Sequence, residues 1–357
     1  MMGKKIRLAI AGVGNCASSL IQGIFHYKDI EENSEFIPGL MHPVISGYRI
    51  CDIEPVAAFD VDERKVGKDL SEAIFAQPNN TERFAEVPKL GVEVMMGPVL
   101  DGVPPHLKEF VKVADERSVE VSDVLKSVKA DVLVNLIPTG SAKASRYYAD
   151  ACIKEAKVGF INGIPELIVC DPEYQRIAEK NKVPLIGDDV KSQVGATILH
   201  RTLVDLFQSR GVKLRRSYQL NYGGNTDFVN LVKRGKSKEM TKLSAVKSLL
   251  PYEAELSAGF SFLPVLKDTK IAVIFLEGEK FGGMPIKIKA ELEVVDSPNS
   301  AGVLIDAIRC AKLSMDRGIG GVLTSASAYF MKHPPKQFPD EVARVMVEEF
   351  IAGKREK

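Results

Sequence analysis

Apolar and polar positions fall into two textures along the chain. Up to about residue 189, short β-rich runs at 6–11, 56–59, 132–137, 158–162 and 184–186 predict strands. The last three alternate with helical patterns at 142–156 and 172–181, and a long helix at 194–209 follows. Such alternation is the mark of βαβ units on a parallel sheet. Beyond Gly211 the pattern changes, with strands expected at 214–221, 271–276 and 286–294. In the last of these Ile286, Ile288, Ala290, Leu292 and Val294 alternate with Lys287, Lys289, Glu291 and Glu293. A period of two with one charged face predicts a half-buried strand of an open antiparallel sheet. Helices return at 302–316 and 340–352. The expected fold class is therefore α/β: a nucleotide-type domain carrying the C-terminal helices (1–210 and 297–357), with an inserted α+β domain (211–296).

Composition narrows the class. The chain has 357 residues, 48 Lys+Arg against 47 Asp+Glu and a net charge of +1. That balance argues against nucleic-acid binding through whole-surface charge. No apolar run is long enough to span a bilayer, and the N-terminal stretch does not read as a signal peptide, so no membrane partner is expected. Five scattered cysteines without a Cys-x-x-Cys pair suggest free thiols in a reducing compartment, hence a cytoplasmic location. Charge is unevenly spread: from Lys213 to Lys247 nine basic residues face two acids, Asp227 and Glu239.

Gly12-Val13-Gly14-Asn15-Cys16-Ala17 follows the first strand and opens a helix, matching G-x-G-x-x-G/A in its proper strand–turn–helix setting. Gly12 permits the tight turn, Gly14 lets a pyrophosphate approach the backbone, and Ala17 lets helix and strand pack closely. Asp60, closing the second strand, is placed to bind the adenosine ribose hydroxyls and to disfavour a 2′-phosphate, so NAD is the expected cofactor and the first domain is Rossmann-type. The gap of 45 residues between Gly14 and Asp60 is about twice the usual one and predicts an excursion over roughly 27–53. Arg64, one turn on, reads as a solvated helix residue rather than an adenine-stacking group. Thr139 and Ser141 end the strand at 132–137, where a parallel sheet presents ligand, although both also suit plain helix capping.

Taken together, Gly14–Leu20, Gly187–Gln193, Asn221–Asp227, Lys236–Lys242, Lys267–Lys270 and Met331–Pro334 resemble the myo-inositol-1-phosphate synthase family, in its short prokaryotic form, over nearly the whole chain. The resemblance implies conversion of D-glucose 6-phosphate to 1L-myo-inositol 1-phosphate. C5 is oxidised by bound NAD, C6 is deprotonated and attacks the C1 aldehyde, and the hydride returns to C5. It also implies a homotetramer formed through the inserted sheet and, in prokaryotic members, a divalent metal ion whose identity the sequence leaves open.

Each step of that chemistry develops negative charge on oxygen beside a phosphate dianion, so it calls for several cations shielded from water. Lys238 and Lys242 stand four apart, on one face if helical. By resemblance they, with Lys270 and Lys332, are the catalytic lysines. Asp189, Asp227 and Asp296 match family acids near the cofactor or the lysines, and Asp189 is also placed near the nicotinamide. From sequence alone, Asp296 in Asp-Ser-Pro-Asn reads as a turn. Ser192, Gln193, Asn221 and Asn225 match substrate-binding positions, and the amides at 193–195 suggest a phosphate cradle at a helix start. Rival readings are an NAD-dependent dehydrogenase of a small hydroxy or amino acid, which would form NADH on net, and a non-catalytic NAD-binding sensor. Four lysines matched in order argue against the sensor.

Overall fold

A computed structural model describes residues 5–29, 36–233, 246–247 and 249–357. Seven parallel strands form the first sheet: β1 (Ile6–Ala11), β2 (Ile53–Asp60), β3 (Val94–Met96), β4 (Val132–Asn135), β5 (Gly159–Asn162), β6 (Pro184–Ile186) and β11 (Gly321–Val322). Their order is β11-β6-β5-β4-β1-β2-β3. Strands β4, β5 and β6 are buried throughout, as strands covered on both faces must be. The chain reverses direction across the sheet between β1 and β4, and there the carboxyl ends of the strands open a crevice.

Helix α1 (Asn15–His26) leaves β1 through Gly14. Helices α2 (Leu70–Ala73), α3 (Val121–Ser127), α4 (Ala142–Asp150), α5 (Pro172–Asn181) and α6 (Ala196–Ser209) follow in order. The second sheet has the order β10-β9-β7-β8, from β7 (Lys213–Gly223), β8 (Glu255–Phe262), β9 (Thr269–Glu279) and β10 (Pro285–Val295). It is mixed rather than antiparallel: β7 runs parallel to β8 and antiparallel to β9. The reason is connectivity, because α7 (Thr226–Lys233) and the chain beyond it carry the path back to the start of β8 instead of turning a hairpin. One face of this sheet packs Leu214, Ile274, Leu276 and Ile288 against Val204 and Phe207 of α6.

Helix α8 (Asp296–Asp316) then returns to the first sheet, and α9 (Thr324–Phe330) and α10 (Asp340–Ile351) complete the fold. Most of α8 is buried, in one core with α1 and the first-sheet strands, which is why its apolar residues show no single stripe. Its Arg309, fully buried, anchors the long excursion before β2 by donating to the carbonyls of His42, Pro43 and Tyr48. Asp306 lies beside that guanidinium and also receives His42 Nδ1 at 2.5 Å.

Candidate active site

A cavity of about 340 Å³ lies at the crevice of the first sheet, between it and the second. Its floor is the glycine loop. Gly12 has φ +90°, and a Cβ there would stand 2.6 Å from the Leu136 carbonyl, so the turn tolerates no side chain. At Gly14 an added Cβ would meet nothing within 4 Å, which leaves the space a pyrophosphate needs. Gly14 is also the N-cap of α1 and caps it with no side chain, so the dipole end of the helix faces the cavity uncovered. Ala17 is fully buried below, where helix meets strand.

Asp60 closes this floor. Its Oδ2 accepts from Val13 N at 2.7 Å, and Oδ1 accepts from Val61 N at 2.7 Å and Asp62 N at 2.9 Å. Arg64 lies in a turn, half-buried and not free to stack: Nε and Nη2 hold Asp62 at 2.8 and 2.6 Å. Asn15 donates to Asn80 Oδ1 at 2.7 Å and to Asp268 Oδ1 at 3.1 Å. Cys16 faces Ser300 Oγ, and burial pushes its thiol up to about 11, so it is no nucleophile. Ser141 lines the cavity without capping α4. Asp101 does that instead, accepting from Lys143 N and Ala144 N. Thr139 Oγ1 donates across the opening to Asp227 Oδ1 at 3.1 Å.

Two lysine–aspartate pairs form the opposite wall. Lys270 Nζ, at the start of β9, donates to Asp296 Oδ1 at 2.7 Å. Asp296 heads α8, so the expected turn is a helix start, and Pro298 in the first turn is compatible with it. Lys332 Nζ donates to Asp189 Oδ1 at 2.8 Å. Burial alone would lower the Lys332 pKa, but the Asp189 carboxylate more than reverses this and holds it above its usual value. As it stands, Lys332 is an ammonium, suited to stabilising negative charge rather than to taking a proton.

The Asp189–Lys332 pair is held from behind. Main-chain bonds link Lys332 N to Asp189 O and pair Asp188 with His333 in both directions. The fully buried Asp188 carboxylate accepts from Asn162 Nδ2 at 2.7 Å, Val169 N at 3.0 Å and Cys170 N at 3.1 Å. Burial raises its pKa to about 6 against those stabilising contacts.

Not every expected residue faces the cavity. Ser192 and Asn225 line it. Gln193 instead donates to Gly39 O at 2.9 Å. Asn221 is fully buried, donating to Gly259 O at 3.3 Å. The amides of Gln193 and Val194 are occupied by Asn299, so two of the three amides of the phosphate cradle expected at 193–195 are already taken, and α6 starts at Ala196. Lys238 and Lys242 lie outside the described residues.

Two residues that spacing did not single out converge here. Asp268, 2% exposed, accepts from Asn15, from Asn225 Nδ2 at 3.0 Å and from Ser297 Oγ at 2.8 Å, tying the glycine loop to the starts of α7 and α8. Its burial raises its pKa. It belongs to the Lys267–Lys270 motif, where only the lysine drew notice. Lys65 is buried beneath the glycine loop, donating to Val13 O at 2.8 Å and Asn79 Oδ1 at 3.0 Å. Nothing in its sequence neighbourhood marks it out.

Residues 195–297 match the family model described as myo-inositol-1-phosphate synthase. The chain is 49% identical over 359 residues to inositol-3-phosphate synthase of Mycolicibacterium smegmatis, covering 98% of each chain. Among solved structures, the crystal structure of Ari2 is 35% identical and superposes with a TM-score of 0.79 over 98% of this chain and all of that one. Inositol-3-phosphate synthase from Caenorhabditis elegans, at 18% identity, shares the fold with a TM-score of 0.76 over 98% of this chain and 85% of that one.

Proposed function

This chain belongs to the myo-inositol-1-phosphate synthase family, and we propose that the cavity between its two sheets carries out that family's reaction, the NAD-dependent isomerisation of D-glucose 6-phosphate to 1L-myo-inositol 1-phosphate. One observation carries the reading. Two lysines, each within 2.8 Å of an aspartate, face a glycine-floored dinucleotide crevice.

The residues present fit the cofactor. Gly12, Gly14 and the uncovered start of α1 would hold the pyrophosphate, with Asn15, Cys16, Thr139 and Ser141 around it and Asp60 at the adenosine ribose. Bound there, the dinucleotide supplies a hydride acceptor and donor for the redox steps at C5 of the sugar. Lys270 and Lys332 stabilise oxygen anions as they form, and Lys238 and Lys242 complete the cationic set around the sugar phosphate. Each Asp–Lys pair keeps its ammonium oriented, and its charge compensated, until an anionic substrate enters. Asp227, Ser192 and Asn225, which line the cavity, would border the sugar, and Asp189 would lie toward the nicotinamide. Gln193 and Asn221 act from behind this shell.

An activating divalent ion would have to take phosphate oxygens among its ligands. Among the described residues, no three His, Cys, Asp or Glu side chains are grouped to hold one.

We assign the dinucleotide domain to 1–210 and 297–357 and the catalytic and tetramerisation domain to 211–296. The open face of the second sheet supports a homotetramer: Tyr218 stacks on Phe275, with Leu220 and Val273 adjacent and a charged row on β10 beside them. A monomer in light scattering overturns that assembly. No described helix is long and apolar enough to cross a membrane, and we place the enzyme in the cytoplasm. The deciding assay supplies glucose 6-phosphate and NAD+ and follows 31P and 1H NMR. Inositol 1-phosphate without accumulating NADH is expected; stoichiometric NADH, or no turnover, overturns the reading.

A further inference from the structure

Between β3 and α3 the chain runs from 97 to 120 with no regular element beyond one short helical turn, Pro105–Leu107. A connection of that length in a packed domain is seldom idle. This one is tied down at both ends to the first domain. At one end the Asp101 carboxylate caps α4, accepting from Lys143 N at 3.0 Å and Ala144 N at 2.8 Å. At the other, Glu63 N donates to Lys112 O and Ala114 N to Val61 O, both at 2.9 Å, which fixes the segment to the turn after Asp60. Its middle crosses to the second domain. His106 Nε2 stands 2.8 Å from Oδ1 of Asn230 on α7, whose side chain is buried, and the ring of Phe110 meets Phe262 of β8 edge-on, centroids 6.4 Å apart. Beneath this crossing Val99, Leu100, Leu107 and Val111 line the cavity. Val99 and Leu100 are 40% and 43% exposed, apolar surface that a molecule bound in the cavity would cover. Pro98, Pro104 and Pro105 restrict the backbone, so the segment moves as a unit rather than fraying.

We propose that residues 98–111 form a strap over the bound dinucleotide, and that His106–Asn230 and Phe110–Phe262 are the clasps that hold it shut and set how fast the cofactor leaves. The inference rests on the cofactor reading above and goes beyond it to cofactor retention. A reaction that returns its hydride within each turnover gains nothing from cofactor exchange, so a slow exit costs it no rate. The strap joins the turn beside Asp60 to α7 and β8, so the dinucleotide cannot leave past it while both clasps are closed. Neither His106 nor Phe110 lines the cavity, and neither touches a lysine–aspartate pair. Opening a clasp therefore changes the dwell time of the cofactor and not the groups that act on the sugar.

Stopped-flow release of NADH from the full-length protein, chased with excess NAD+ and followed by the cofactor's own fluorescence, tests this. H106A and F110A are each expected to release NADH roughly 3- to 10-fold faster than wild type, the scale of one lost contact, and the double variant faster than either. At saturating NAD+ the kcat for inositol 1-phosphate should stay within about twofold of wild type, which separates a clasp from a residue that merely holds the fold. Should F110A fail to fold, F110L keeps the bulk without the ring contact and reads the same clasp. Release as slow as wild type in both folded variants overturns the proposal. So does a kcat that falls in step with faster release, because the contacts would then serve the catalytic groups. Failure of the wild type to hold NADH strikes the cofactor reading instead.

Discussion

The two walls of the cavity hold charge by opposite means. The first-sheet wall works through main chain: a glycine turn, the uncovered end of α1 and the amides around Asp60. The opposite wall, built by the second sheet at Lys270 and by the chain following β6 and α9 at Asp189 and Lys332, works through side chains, with each cleft lysine set against an aspartate. Main-chain donors cannot be mutated away, so the first wall is vulnerable only where a new atom intrudes. The second is vulnerable wherever a charge is removed, because each ion pair is partly buried and its partner is left uncompensated. The first wall suits a cofactor that stays bound through the cycle, and the second a substrate whose charge moves.

That contrast is broken most severely at the lysines. K270M and K332M are each expected to lower kcat/KM by roughly 10³-fold, the scale of a lost oxyanion-stabilising donor. In K270M NAD+ affinity should stay within about threefold, since that ammonium pairs with Asp296 rather than with a cofactor-side group, whereas K332M also uncovers Asp189 and should weaken NAD+ by a further few-fold. Stopped-assay turnover and NAD+ titration check both. An NAD+ affinity that falls in step with turnover would show that the walls are not separable.

The glycines sharpen the comparison. At Gly12, alanine takes φ +90° and puts its Cβ 2.6 Å from the Leu136 carbonyl. The combined backbone and overpacking cost is about 3 kcal/mol, so G12A loses both melting temperature and NAD+ binding. At Gly14 the backbone has φ −89°, ordinary for alanine, and the Cβ finds open space. G14A should therefore melt like the wild type yet bind NAD+ about tenfold more weakly, because the methyl stands where the pyrophosphate belongs. Equal losses in the two variants, by calorimetric melting and titration, would refute the division.

Legibility in the sequence followed the same divide. Strands β1 and β6 and helix α5 stand where the apolar runs predict them, to the residue, because a doubly covered strand needs a continuous apolar segment and α5 opens with a capping Asp171 before Pro172. Strand β8, Glu-Leu-Ser-Ala-Gly-Phe-Ser-Phe, was not singled out: Leu256, Ala258, Phe260 and Phe262 do alternate with Glu255, Ser257, Gly259 and Ser261, but the small Ala, Gly and Ser residues of this outer strand make the pattern weak. Strands β3 and β11 are too short for any pattern. The start of α8 was hidden because Asp-Ser-Pro-Asn suits a turn as well as a first helical turn. Within the site, the lysines and aspartates were visible singly and not as pairs. Lys270 and Asp296 are 26 residues apart, Lys332 and Asp189 143, and no spacing rule spans such distances.

The excursion at 36–52 supplies the mildest test, away from both walls. Its His42 is held by Asp306 and, through Nε2 at 3.1 Å, by Glu348 of α10, with Arg309 on the far side of Asp306. Burial alone would lower the imidazole pKa, but the two carboxylates outweigh it and raise the value above 6.5. A histidine whose pKa is higher folded than unfolded contributes stability in full below the unfolded value. It loses that contribution as pH rises through the folded one. Stability from this contact is thus complete below about pH 6.5 and declines above it. H42Q should lower the melting temperature more at pH 6 than at pH 9, because the contribution of the charged imidazole declines as pH rises through its raised pKa. NAD+ affinity at pH 7 should be the same in both proteins, since His42 touches the C-terminal helices and not the cavity. A wild-type melting temperature as steady from pH 6 to 9 as that of H42Q would show that the His42 contact carries no charge.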